Sequence, residues 1–212
     1  MSKQERSSFI ITSVILFLAF LFLSFLVNKD FFRSIDYEVM VSLQNIISRK
    51  FDVLFSVFTL IGSTEITLMF LGIIFLLIWI KKKHFFLGLS LFLFIFIIEL
   101  IGKLFIIHPI PPKIFHRYAL NFNFPSVQIV DTHFSFPSGH IARITFLSVI
   151  ILFLMLWVKK DLSRKILFSI LIALFILCMF ISRIYLGEHW LSDVIGGLLM
   201  GSSVATLAIS FW

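Results

Sequence analysis

A single cysteine, Cys178, stands among 212 residues, which excludes a disulfide scaffold and a Cys-based zinc site. It lies inside an apolar run, where packing accounts for it. Charge is scarce too, at 14% of residues against 60% hydrophobic. No soluble domain of this length could hide so much apolar surface, and 29 Phe with a mean hydropathy of +1.09 describe a lipid-facing exterior. Repeats and low-complexity linkers are missing, so residues 1–212 are expected to form one membrane-embedded domain. The first apolar run, residues 9–27, lacks a small-x-small cleavage site and exceeds a signal-peptide core, so it reads as a retained helix. Acidic side chains are the minority, 11 against 18 basic. The net charge of +7 points to cytoplasmic loops and anionic headgroups, and no nucleic-acid partner is expected.

A hydrocarbon core of about 30 Å needs about 20 apolar residues per helix. Six stretches approach that length: residues 9–27, 66–80, 85–107, 141–158, 166–184 and 191–211. The expected fold is therefore all-α, an integral membrane bundle of six transmembrane helices. The second stretch is short; the apolar residues 51–61 before it either lengthen it or lie in the interface, with Gly62-Ser63-Thr64 as a break or cap. Between the first two spans, Ile35, Val39, Leu43 and Ile46 recur at helical spacing among Arg33, Asp36, Glu38, Gln44 and Arg49. That pattern predicts an amphipathic interfacial helix along the membrane surface.

Dense positive charge occurs at Lys3 and Arg6, at Lys81-Lys82-Lys83, and at Lys159, Lys160, Arg164 and Lys165. Alternating spans put all three clusters on one side, which the positive-inside rule makes cytoplasmic, together with both termini. A multi-pass protein of the cell (inner) membrane follows. Two outer connections result, residues 108–140 and 187–190, and the unusual polar residues fall there.

At the first, Phe136-Pro137-Ser138-Gly139-His140 precedes an apolar helix. A helix start offers unpaired N–H groups and the positive dipole end, so the segment is either an ordinary cap or an anion seat, and His140 adds a titratable donor that a cap does not need. At the second, Ser182-Arg183 is followed by His189 and Asp193. If the sixth helix begins near His189, the two share a face, and the carboxylate holds one ring nitrogen protonated while the other is a nucleophile or base. Arg183 carries a donor fork suited to phosphate. A metal pair or a structural His–Asp contact is the competing account, although no further ligand spacing completes a metal site. Lys103, with Glu99 one turn before it, either forms an intrahelical ion pair or meets an anion.

Lys103 with Pro111, Pro137-Ser138-Gly139-His140, and Ser182-Arg183-x5-His189-x3-Asp193 resemble, in order, the three signature motifs of the type-2 phosphatidic acid phosphatase superfamily. Tyr185-Leu186-Gly187, Trp190 and Gly196-Gly197 are also similar to its membrane members. The resemblance implies a six-helix fold with an extracytoplasmic site, no metal or other cofactor, and a phosphohistidine intermediate. It implies His189 as nucleophile, Asp193 as its orienting group and His140 as the acid for the leaving oxygen. Lys103, Ser138, the Gly139 amide and Arg183 would hold the phosphate oxygens, an arrangement suited to phosphoryl transfer.

One position departs from the family: Ile110 stands where the first motif has Arg. Lys113 and Arg117 are candidates to replace the lost contact, with His116 and Arg143 also nearby in sequence. The expected activity is hydrolysis of a lipid phosphate monoester or diphosphate, of the phosphatidylglycerol phosphate, phosphatidic acid, polyprenyl diphosphate or lipid A type. The alternatives are a lipid phosphotransferase, a weakened phospholipid-binding member, and a serine hydrolase using Ser138, which lacks the Gly-x-Ser-x-Gly elbow.

Overall fold

The computed structural model describes residues 1–79, 84–117, 120, 134–158 and 161–212. The basic residues Lys81, Lys82, Lys83, Lys159 and Lys160, and most of residues 118–133 of the long outer connection, lie outside the described residues. The helices are α1 (Lys3–Asn28), α2 (Arg33–Ile46), α3 (Asp52–Ile61), α4 (Thr64–Trp79), α5 (His84–Ser90), α6 (Phe92–Phe105), α7 (Gly139–Val158), α8 (Leu162–Tyr185) and α9 (Leu191–Ser210). Among the described residues no strand forms, and one isolated bridge joins Pro109 to Phe134.

Five helical segments are long and apolar enough to cross a membrane: Lys3–Asn28, Phe86–Phe105, Gly139–Trp157, Leu162–Tyr185 and Leu191–Ser210. Arg49–Ile61 and Thr64–Leu76 pass the same test only as a pair bent by 51°, which makes up to six spans if the pair counts as one. Residues 51–61 thus lie in a helix set at an angle to the second apolar stretch. The break is closed locally: Gly62 N–H donates to the Thr59 carbonyl at 3.0 Å, and the Ser63 hydroxyl accepts from Ile66 N–H at 3.4 Å. Such irregular backbone within a span survives only where protein covers it, and here it faces the polar end of the bundle.

α9 is the central helix, packed between α1 and α7. Gly197 and Gly201, one turn apart, let α7 approach so closely that a Cβ at either would strike the carbonyl of Ser138 or Ala142. Small residues at this spacing are what permits tight helix contact in a lipid environment, where hydrophobic burial gives helices no net attraction. Ser13 and Ser203 add a buried polar tie between α1 and α9, the Ser203 hydroxyl donating to the Ser13 carbonyl at 2.9 Å. At one end Arg6 Nε donates to the Ser210 carbonyl at 2.6 Å; at the other the Asn28 side chain accepts from Ile107 N–H at 2.8 Å. The second end therefore collects the C-termini of α1 and α6 with the N-termini of α7 and α9.

α2 forms where the amphipathic pattern placed it, with Val39 and Leu43 packed against the core. Asp36 and Met40 are buried, whereas Ile35 and Ile46 are exposed. The reason is polar: Asp36 accepts from Ser192 N–H at 2.8 Å and from the Ser192 hydroxyl at 2.7 Å, capping the first turn of α9.

Candidate active site

The Pro137-Ser138-Gly139-His140 segment is wedged between α6 and α9. A Cβ on Gly102 would collide with Pro137, and Ser138 N–H donates to the Asp193 carbonyl at 3.0 Å. Ser138 then opens α7, its carbonyl accepting from Ala142 N–H at 3.1 Å. The N–H groups of a first turn lack intrahelical partners, and beside them the Ser138 hydroxyl is buried and lacks a hydrogen-bond partner among the described residues. His140, two residues after Ser138, packs its ring against Gly62 at the break between α3 and α4.

His189 and Asp193 meet, though not along one helical face. α9 starts at Leu191 with Trp190 as its N-cap, so His189 precedes the helix and reaches Asp193 around its first turn. The turn is possible because Gly187, ending α8, adopts φ +73°, a conformation that suits glycine. Asp193 Oδ2 accepts from Trp190 N–H at 3.0 Å and lies 3.3 Å from His189 Nδ1. This contact leaves Nε2 of His189 as the lone-pair nitrogen. Burial pushes the His189 imidazole down to about 4; the Asp193 contact opposes this, and the Arg183 and Lys103 cations add to it. It is therefore neutral near pH 7, as a nucleophile must be.

The other Asp193 oxygen is taken by a residue whose role sequence reasoning missed. His108 Nδ1 donates to Asp193 Oδ1 at 2.7 Å, and its Nε2 lies 3.5 Å from Asp36 Oδ2. With a carboxylate on each ring nitrogen, both nitrogens donate and the ring is an imidazolium; against the cost of burial, these two partners raise it to about 9. Asp36, His108, Asp193 and His189 form one buried chain from α2 to the candidate nucleophile. Its only sequence signal was a His-Pro pair within the first motif, with nothing to mark Asp36 as a partner.

The cations gather opposite. Lys103 Nζ donates to Glu99 Oε1 at 2.8 Å, the intrahelical pair allowed by their spacing. Arg143, one turn into α7, donates from Nη1 to Glu99 Oε2 at 2.6 Å and from Nη2 to the Gly62 carbonyl at 3.5 Å. The Glu99 carboxylate lies against Gly139, supplying the three nearest atoms to any Cβ added there. Arg183 pairs with Glu188 and donates to the Thr59 hydroxyl. Glu188 and Thr59 are further site residues that spacing alone did not reveal.

Lys113 and Arg117 are placed differently. Lys113 begins an exposed 3-10 turn, Lys113–Phe115, while the Arg117 guanidinium lies 5.0 Å from the centre of the Tyr185 ring and 3.5 Å from the Ile47 carbonyl. These contacts tie Arg117 to Tyr185 and Ile47, not to Lys103, His140 or His189. Ile110 is 45% exposed and lines an outer cavity of about 720 Å³ with Tyr37 and Trp190.

Residues 83–212, more than half of the chain, match the family model of the PAP2 superfamily. The chain belongs to the PAP2 superfamily. Among solved structures it is similar to a transmembrane PAP2-type phosphatidylglycerolphosphate phosphatase from Bacillus subtilis, at 24% identity and a TM-score of 0.76 over 94% of this chain and 95% of that one. It is also similar to LpxE of Aquifex aeolicus, at 21% identity and a TM-score of 0.60 over 82% of this chain and 94% of that one. No curated protein sequence matches it significantly. Family and fold together identify a multi-pass membrane protein with the architecture of the membrane PAP2 lipid phosphatases.

Proposed function

We propose that this protein hydrolyses a phosphate monoester or diphosphate of a membrane lipid through a phosphohistidine on His189, with residues 1–212 acting as a single domain. The observation that carries the proposal is the His189–Asp193 pair beside the N-terminus of α7, with Lys103, Arg143 and Arg183 around it.

In the first step His189 Nε2 attacks phosphorus in line with the ester oxygen. The N–P bond forms, the P–O bond breaks, and His140 gives its proton to the departing lipid oxygen. Asp193 holds Nδ1–H and offsets the positive charge that develops on the ring. In the second step water attacks phosphorus, the N–P bond breaks, and His140 takes the proton of that water. Lys103, Arg183, the Ser138 hydroxyl and the Gly139 amide hold the phosphoryl oxygens and gain strength as charge develops on them. The cations are supplied by side chains, so turnover is expected to persist in EDTA.

The dense basic segments of the sequence support a site on the extracytoplasmic face of the cell membrane. Phosphatidylglycerol phosphate is the first substrate to test, because the Bacillus subtilis protein of similar fold is described as acting on it. Phosphatidic acid, polyprenyl diphosphate and lipid A phosphate complete the panel. Rapid acid-avoiding quench of the purified protein with labelled lipid phosphate should trap acid-labile phosphate on His189. An acyl group on Ser138 instead would establish a serine hydrolase.

A further inference from the structure

The family's guanidinium at position 110 is missing, and Ile110 turns to the outer cavity rather than inward. Inside the site, however, a guanidinium without a place in the family motifs is buried to 3% exposure: Arg143. It lies one turn after Gly139 on the face that α7 turns toward α6, and its Nε has no hydrogen-bond partner among the described residues. Its partner Glu99 is equally informative. One carboxylate there accepts from Lys103 on one oxygen and Arg143 on the other, and rests on the N-terminal residue of α7. Two cations and a helix N-terminus converging on one anionic group are what a phosphoryl group requires.

The pairing of Glu99 is also exchangeable. It is held by the Lys103 and Arg143 side chains, and it retains 14% exposure. A doubly charged phosphate offers the same cations more charge and a third oxygen. Arg143 is held in place meanwhile by the Gly62 carbonyl and the Phe96 ring, 5.3 Å away. Building on the phosphatase proposal above, we infer that Arg143 is a third phosphate clamp, doing the work of the absent arginine at 110, and that Glu99 is its internal counter-anion, displaced by the phosphate.

The test measures binding of inorganic phosphate to the full-length protein in detergent, by thermal protection and by inhibition of turnover. Glu99→Gln should bind phosphate roughly tenfold more tightly than the wild type, because a competing carboxylate is gone. Glu99→Gln with Arg143→Gln removes both buried charges together, so the fold keeps its balance; phosphate should then bind roughly 10- to 100-fold more weakly than to Glu99→Gln alone. Weaker binding by Glu99→Gln than by the wild type would make Glu99 a positioning residue and overturn its assigned role. Equal binding by the single and double variants would remove Arg143 from the site. In either case Lys103→Gln should still lose phosphate, and the phosphatase proposal would stand. Absence of both phosphate binding and lipid-phosphate turnover in the folded wild type would sink both.

Discussion

Each half of the site is built around one carboxylate between two cationic or cation-forming groups, and the two carboxylates are held in opposite ways. Asp193 is fully buried, and its oxygens are fixed by His189, His108 and the Trp190 backbone N–H. Glu99 is bound by Lys103 and Arg143 side chains at an accessible edge. A backbone donor cannot swing away, whereas two long cationic side chains can exchange one anion for another. Under the proposed function, the contrast separates a half suited to keeping one ring nitrogen aimed at phosphorus from a half suited to exchanging one anion for another.

The largest effect should come from breaking the fixed half. His189→Ala is expected to lower kcat by at least about 10⁴-fold, since no neighbouring group can form the covalent intermediate. Phosphate release from a lipid substrate, measured beside an unchanged melting temperature, checks this. His140→Ala comes next. Loss of a general acid should cost about 10²- to 10⁴-fold on an alkyl phosphate and much less on an aryl phosphate, whose leaving oxygen needs no proton. Equal losses on both would contradict the assigned role.

His108 tests how far rigidity extends behind the nucleophile. Its folded value of about 9 lies above the ordinary 6.5, so the stability it contributes is fully present below pH 6.5 and is lost as pH rises through 9. His108→Gln strands two buried carboxylates, which should cost about 3–5 kcal/mol. It should also flatten the fall in melting temperature between pH 6.5 and 9, which a wild-type-like profile in the variant would contradict. The acid side gives a separate check. With His189 depressed to about 4, it stays neutral well below its usual range, so kcat/KM should lose its acid limb near pH 4 rather than 6.5. The smallest effect is expected at Arg117. Removing its contact with the Tyr185 ring by Arg117→Ala should cost about 0.5–1 kcal/mol of stability while kcat/KM stays within about twofold. A tenfold loss of kcat/KM would place Arg117 in the phosphate site.

Hydrophobic run length alone located five spans and marked the sixth as irregular at Gly62-Ser63-Thr64, because the bilayer imposes a length that can be counted along a chain. The site was legible where its partners are close in sequence: Glu99 with Lys103 and His189 with Asp193 are each four residues apart. The burial of Asp36 on α2 was not legible, because nothing local shows that a buried helix start needs its carboxylate. Spacing also gave the His189–Asp193 contact through the wrong geometry, since the turn at Gly187 delays α9 by two residues past His189.

The sequence by itself determined that the chain is a helical membrane protein of the PAP2 superfamily and which motif residues are candidates for its chemistry, because span length and short-range motifs are local properties. Only the tertiary structure decided that His108 joins Asp36 to Asp193, that Thr59 and Glu188 meet Arg183, and that Arg143 rather than a residue near 110 faces Glu99. Apart from Arg183 with Glu188, those contacts join residues far apart in the sequence. They exist because the close crossing of α7 on α9 and the break between α3 and α4 bring polar groups together where the bilayer leaves them no water to turn to.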